Sequence, residues 1–260
     1  MPDPHPPLPV DAVQAALVGT PFATVRYVAE TGSTNDDAAA LLGRPGQPGL
    51  TIVAGHQTRG AGRKGRSWIA RPGSSLLFTT ILPEPLPAAE IWAVPFWTAL
   101  AVRAGLERHG IATDLHWPND LLVGPRKIAG ILCTSRIAGA HAYVACGIGI
   151  NVARSPEADD EIAPPPAFCD DLAPVEAHAL LVSILTQFAS TLAALDAPQR
   201  VARLWEAAAG LPGRRYRLLK DGEPEPFDAT AMALATGGAL VVERDGLRET
   251  IPLADARALR

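Results

Sequence analysis

The stretch His56–Trp68, HQTRGAGRKGRSW, joins three glycines to four cationic side chains, contains no acid, and ends on a tryptophan. Glycines that follow a strand let backbone N–H groups point into a concavity, and such a nest binds anions. Arg63, Lys64 and Arg66 add fixed positive charge, and an arginine fork can grip phosphate or carboxylate through two parallel hydrogen bonds. Trp68 adds a flat face for a purine or another apolar ring. The stretch is not a P-loop: the GxxxxGK[ST] spacing is absent, and the segment runs on into a strand rather than a helix. The same reason excludes a dinucleotide fingerprint. On composition alone, an anion-binding loop and an ordinary solvated basic loop stand level.

Three other segments carry chemistry. Asn119 and Asp120 in WPNDLL can coordinate Mg2+ or orient a polar ligand, against the plain alternative of an Asx turn after Pro118. In RKIAGIL, alternation puts Lys127, Ala129 and Ile131 on one face, an odd place for a solvent-facing lysine. A strand-end lysine that snorkels is the alternative. The glycines of GIGIN, Gly147–Asn151, point to close approach of backbone to a ligand or neighbour, or to a bulge.

The elements that must position these residues follow from pattern. ATVRYVAE reads as a strand. STNDDAAALL reads as a helix start, with Ser33 or Thr34 able to cap and Asp36 and Asp37 in the first turn. LTIVAGH and SSLLFTTIL are strands. PAAEIWAVPFWTALAVRAGLERHG is a long apolar helix ending at Gly110, with Pro95 interrupting it or marking its start. DLHW, DLLVGPRKIAGILCTS and AYVACGIGINV are paired strands with a hairpin turn at VGPRK. Residues 154–173 read as an irregular surface loop. PVEAHALLVSILTQFASTLAAL and PQRVARLWEAAAG follow as helices. After LPG, at 211–213, the pattern changes to short β runs that suggest a barrel of roughly 45 to 50 residues, near the lower limit for a self-standing core. A Pro-rich arm over 1–22, a main domain over 23–210 and a small β domain over 211–260 are the expected divisions.

The chain has 260 residues, is 48% hydrophobic and carries a formal charge of −4. That balance allows a sizeable core and argues against a general nucleic-acid binder. Cys133, Cys146 and Cys169 form no CxxC pair and suggest neither a disulfide framework nor a zinc site. No signal peptide and no membrane span are expected, so a reducing cytoplasm is the expected compartment.

These pieces occur in one order: STN, a Gln followed by a Gly/Arg loop ending GRxW, WPNDL, KxAGIL and GIGIN. That order resembles the biotin protein ligases, the biotin–[acetyl-CoA-carboxylase] ligases, over about residues 25–155, with a family-like small β domain at the C-terminus. The resemblance implies an α+β fold, a mixed β-sheet flanked by helices followed by a small SH3-like barrel. It implies an enzyme that uses ATP to turn biotin into biotinyl-5′-AMP and passes the biotinyl group to a lysine of a carboxyl carrier protein domain. Mg2+ would accompany ATP near Asp120, with no metal held by the protein alone.

By the same resemblance Ser33, Thr34, Asn35 and Gln57 line the biotin pocket. Gly60, Ala61, Gly62 and Arg63 wrap the carboxylate and the adenylate phosphate. Gly130 and Leu132 meet biotin through backbone groups, and Gly147 and Asn151 complete the floor. Arg63, Arg66, Trp68, Asn119, Asp120 and Asn151 serve the nucleotide, Trp68 against the adenine. Lys127 bridges carboxylate and α-phosphate, and Lys127 and Arg63 are the catalytic pair. The family pattern is GRGRxGR, whereas this chain has Ala61 where the first arginine stands, which removes one fork from the carboxylate side. Arg59 is the nearest substitute. A lipoate or octanoate ligase or transferase of the same fold, and a binding protein without turnover, are the alternatives. The roughly 22 residues before the first strand are too few for a DNA-binding domain, so no DNA partner is expected. A homodimer through the sheet edge, with GIGINV or the preceding strands at that edge, fits the resemblance.

Overall fold

The computed structural model describes residues 8–154 and 165–259. The first residues of the expected arm and the middle of the expected loop over 154–173 lie outside them.

The main sheet is built from β1 Val25–Thr31, β2 Thr51–Gln57, β3 Ser75–Ile81, β4 Leu86–Pro87, β5 Asp114–His116, β6 Asp120–Val123, β7 Arg126–Ala138 and β8 His141–Asn151. Their order is β1-β2-β3-β8-β7-β6-β5, with the short β4 also on β8. β1 and β2 are parallel and every other pairing is antiparallel. The crossover between the parallel pair carries α2, Thr34–Ala39. The sheet is therefore mixed, as expected. β8 lies in its middle, hydrogen-bonded to β3 and β7, so GIGINV cannot serve as a free edge for a dimer; the edges are β1 and β5.

Alternation divides the sheet into two faces. Leu76, Phe78, Cys146, Ile148, Ile150, Ala129 and Ile131 join the large buried core. That face is covered by α1 Val10–Ala16, α3 Val94–Glu107 and α4 Ala177–Thr191. Pro95 stands in the first turn of α3, where a missing N–H costs nothing, so it marks the real start of that helix. The expected loose arm is corrected from Val10 onward: Val13, Leu17 and Phe22 are fully buried, so apolar burial fixes this segment as a helix of the core. The stretch Ala177–Asp196 is apolar and long enough to cross a membrane by length and composition alone. In the fold it is a core helix whose Leu180, Leu181, Ile184, Leu185 and Phe188 are buried.

The chain then passes through α5, Pro198–Ala209, which ends on Gly210 in the left-handed region. A second, five-stranded antiparallel sheet follows, built from β9 Arg214–Lys220, β10 Phe227–Leu234, β11 Leu240–Arg244, β12 Leu247–Ile251 and β13 Ala256–Leu259. It is consistent with the expected SH3-like unit. Its interior merges with the main core into one buried cluster. Trp117, from the WPND segment, is the joint: its indole Nε1 donates to Gly238 O at 3.2 Å and its backbone N–H to Tyr216 Oη at 3.2 Å. Arg214 adds a bond to Leu115 O at 3.0 Å. Burial pushes the Tyr216 hydroxyl pKa up, so it stays a neutral partner. Tyr216→Phe should leave the Trp117 N–H buried without a partner and lower stability by about 1–3 kcal/mol. Urea unfolding followed by tryptophan fluorescence checks this; an unshifted midpoint would remove Tyr216 from the joint.

Candidate functional site

The face of the sheet opposite the main core carries α2 and a cavity of about 400 Å3. Its floor is bare backbone. A Cβ added at Gly149 would come within 2.7 Å of the Trp68 ring, and one at Gly130 within 2.9 Å of the same ring and 2.7 Å of Lys127 Nζ. Only glycine lets the indole lie this close to the strands. A Cβ at Gly147 would overlap the Asn35 amide. The glycines of GIGIN are thus close-approach positions, and the pairing of β8 with β7 through Gly147 and Gly149 is regular.

A bulge does occur, but on β7. Leu121 pairs with Ala129 while Leu122 pairs with Lys127, so Ile128 is an extra residue. The expectation that Lys127 shares a face with Ala129 and Ile131 is therefore corrected. Ala129 and Ile131 enter the core, whereas the inserted residue turns Lys127 to the cavity side with Gly130. Lys127 Nζ lies 2.6 Å from Asp120 Oδ1 and 5.3 Å from the Trp68 ring centroid. Asp120 does not itself line the cavity; it stands behind Lys127 as counter-charge.

At one end of the cavity stand Ser33, Asn35 and Gln57. Thr34 is 4% exposed and sits behind this wall rather than in it, because its hydroxyl and its N–H both donate to Gln57 Oε1, at 2.9 and 2.7 Å. The expected side-chain cap of α2 is not formed by Ser33. Asn35 Nδ2 donates to Leu132 O at 2.9 Å, and Asn35 Oδ1 accepts from the Thr79 hydroxyl at 2.7 Å. Thr79 was not singled out by sequence; a threonine inside an otherwise apolar strand was the available signal.

The other end is the basic loop. It folds back on itself: Ala61 bridges Ser67, Gly62 N donates to Arg66 O at 2.6 Å and Trp68 N to Gly60 O at 2.9 Å. Ala61, Gly62, Arg63, Arg66 and Trp68 line the cavity; Gly60 is buried beneath the hairpin and does not. Arg63 Nη2 donates to Leu253 O of the second sheet's connection, and Lys64, in the left-handed region at φ 56°, places Nζ 2.6 Å from both carboxylate oxygens of Asp221. Burial, then the nearby Arg66 charge, holds the Arg63 pKa below its usual value, while Asp120 opposes this. Arg59 does not line the cavity. Its guanidinium lies against Gly32, so it does not replace the fork missing at Ala61.

Asn119 and Asn151 both reach the cavity, and each is committed to backbone: Asn119 Nδ2 donates to Ile131 O at 2.7 Å and Asn151 Nδ2 to Lys127 O at 3.1 Å. Their amides therefore brace the strand that carries Lys127. Gly130, Leu132 and Gly147 complete the predicted set. Sequence reasoning missed Ile69, Arg71, Ser74, Leu77 and Phe168, which also line the cavity, while Gly149 is one of the GIGIN glycines expected to approach a ligand or neighbour. No group of three or more His, Cys, Asp or Glu suited to a metal exists among the described residues. Neither Cys133 nor Cys169 is an activated thiol: burial pushes Cys169 up to about 12, and contact with Cys146 together with burial raises Cys133. The indole N–H of Trp68 is buried and has no hydrogen-bond partner among the described residues.

The biotin/lipoate A/B protein ligase family matches this chain over residues 30–151. A biotin--[acetyl-CoA-carboxylase] ligase of Paracoccus denitrificans is 30% identical over 243 residues, covering 88% of this chain and 98% of the relative. One of Mycobacterium tuberculosis is 32% identical over 172 residues, and the match spans 60% of each chain. Among solved structures, a biotin protein ligase from Aquifex aeolicus in complex with biotin and ATP aligns with a TM-score of 0.73 at 22% identity, covering 92% of this chain and all of that one.

The tie between Lys64 and Asp221 is partly open to solvent and should weaken with salt. Asp221→Ala should speed tryptic cleavage within 59–66 several-fold at low ionic strength and make little difference at high salt. Equal cleavage rates at low salt would show that the pair does not hold the loop.

Proposed function

The chain belongs to the biotin/lipoate A/B protein ligase family, and from that premise we propose that it is an ATP-dependent biotin protein ligase. One observation supports this reading above the others: a single cavity joins a neutral polar end, Ser33, Asn35 and Gln57, to a cationic end, Arg63, Arg66 and Lys127, across a floor of bare glycine backbone. A neutral bicyclic head with a carboxylate tail fits the first end and the middle. A nucleotide triphosphate fits the second.

In this reading a biotin carboxylate oxygen attacks the α-phosphorus of ATP. The new P–O bond forms as the bond to the bridging oxygen breaks, and pyrophosphate leaves. The nitrogen of an acceptor lysine then attacks the acyl carbon, the acyl–oxygen bond breaks, and AMP leaves. The obstacle in the first step is repulsion between two anions. Lys127 Nζ and the Arg63 and Arg66 guanidiniums offset it, acting where negative charge gathers in the transition state. Asp120, 2.6 Å from Lys127 Nζ, is its counter-charge and aims the amine. The basic loop shields the mixed anhydride from water. No Asp or Glu is among the described residues that line the cavity, and Asp120 is paired with Lys127, so Mg2+ would be held chiefly by the substrate phosphates. When bound it would neutralise phosphate charge. The acceptor is a carboxyl carrier protein domain, and the compartment is a reducing cytoplasm that supplies ATP.

The second reading, a lipoate or octanoate ligase, draws support from Ala61. It lines the cavity where the family pattern has arginine, and Arg59 turns elsewhere. Pyrophosphate exchange into ATP, run side by side with biotin, lipoate and octanoate, separates the two. Exchange with biotin alone is expected; exchange with lipoate or octanoate instead moves the protein to the second reading. Lys127→Ala should lower biotin-dependent exchange by roughly 100-fold or more. Undiminished exchange would remove Lys127 from the mechanism.

A further inference from the structure

Thr79 is fully buried on β3 and does not line the cavity. It stands on the cavity face of the sheet, opposite Gly147, directly under the start of α2. Its hydroxyl is 2.8 Å from Thr34 Oγ1 and 2.7 Å from Asn35 Oδ1. The side chains behind the neutral end therefore form one chain of contacts, Gln57–Thr34–Thr79–Asn35–Leu132. Asn35 Oδ1 can only accept, so Thr79 donates there. With Oδ1 held by Thr79 and Nδ2 by Leu132 O, the Asn35 amide has one orientation. The Thr34 hydroxyl hydrogen goes to Gln57 Oε1, so the 2.8 Å contact with Thr79 is packing that seats the Thr34 side chain, and Gln57 Oε1 stays turned back toward Thr34. What the cavity presents at this end is thus set from behind.

We propose that Thr79 is a positioning residue for the neutral end of the cavity, fixing the Asn35 and Gln57 amides that face the biotin head group. The inference rests on the biotin reading above. β3 supplies its own control. Thr80, the next residue, is equally buried but faces the other way, its hydroxyl 3.0 Å from Thr51 Oγ1. A valine at either position keeps the shape and removes a buried hydroxyl, so both substitutions should lower stability. Only one should disturb the ligand.

The test is the dissociation constant for biotin by calorimetry, without ATP, together with KM for ATP and kcat in pyrophosphate exchange. Thr79→Val should weaken biotin roughly tenfold, with KM for ATP and kcat little changed. Thr79→Ser should restore affinity, and Thr80→Val should leave it alone. If Thr79→Val does not fold, Thr79→Ala is measured in its place. Unchanged biotin affinity in the Thr79 variant, or an equal loss in the Thr80 variant, overturns the proposal while the ligase reading stands. A folded wild-type protein that takes up no biotin overturns that reading and this inference together.

Discussion

An indole ring can rest on a β-sheet only where no side chain stands under it. Here that condition is met by Gly130 and Gly149, which face each other across neighbouring strands. With Trp68 seated on them, the end of the basic loop has a fixed position, and the loop's cations are carried to the rim of the cavity. The same gap in side-chain cover gives the cavity its floor. Replacing either glycine would displace Trp68, and Trp68 is the loop's hold on the main sheet. The loop, the floor and the site of Lys127 therefore depend on one contact between a ring and bare backbone.

Lys127 reaches that contact through an irregularity. A strictly alternating β7 would have sent its side chain into the core with Ala129, where an amine could not stay charged. One extra residue in the strand reverses its direction and sets it between Asp120 and the Trp68 ring. The amides of Asn119 and Asn151 then bond to β7 backbone on either side of the bulge, at Ile131 O and Lys127 O. Residues that resemble ligand contacts in the sequence thus also brace the one strand whose geometry departs from the rule.

The strands, α3 to α5 and the change of pattern after LPG were legible because apolar periodicity and turn residues are local. The cavity's glycines and cations were legible because their types are rare in such strands and sit in short runs. Three things were hidden, each for a reason. The bulge at Ile128 leaves no mark in RKIAGIL, since the inserted residue is an ordinary apolar one, so the face of Lys127 was misassigned. Thr79 matters through Thr34 and Asn35, 45 and 44 residues away, and nothing in SSLLFTTIL says which threonine faces them. The helix over Val10–Ala16 was masked by the prolines around it, which suggested a loose segment.

Arg63 bonds to a carbonyl 190 residues further on, and Lys64 to a carboxylate 157 residues further on. During synthesis the strands and helices that wall the cavity leave the ribosome well before either partner. The cavity lining runs on to Phe168, about 85 residues before Leu253, so at typical elongation rates the interval is roughly 4 to 17 s. A nascent chain therefore completes a binding cleft before it owns the fastening for the loop above it. In that interval the loop has its seat on Gly130 and Gly149 through Trp68 but not yet its ties to Leu253 and Asp221.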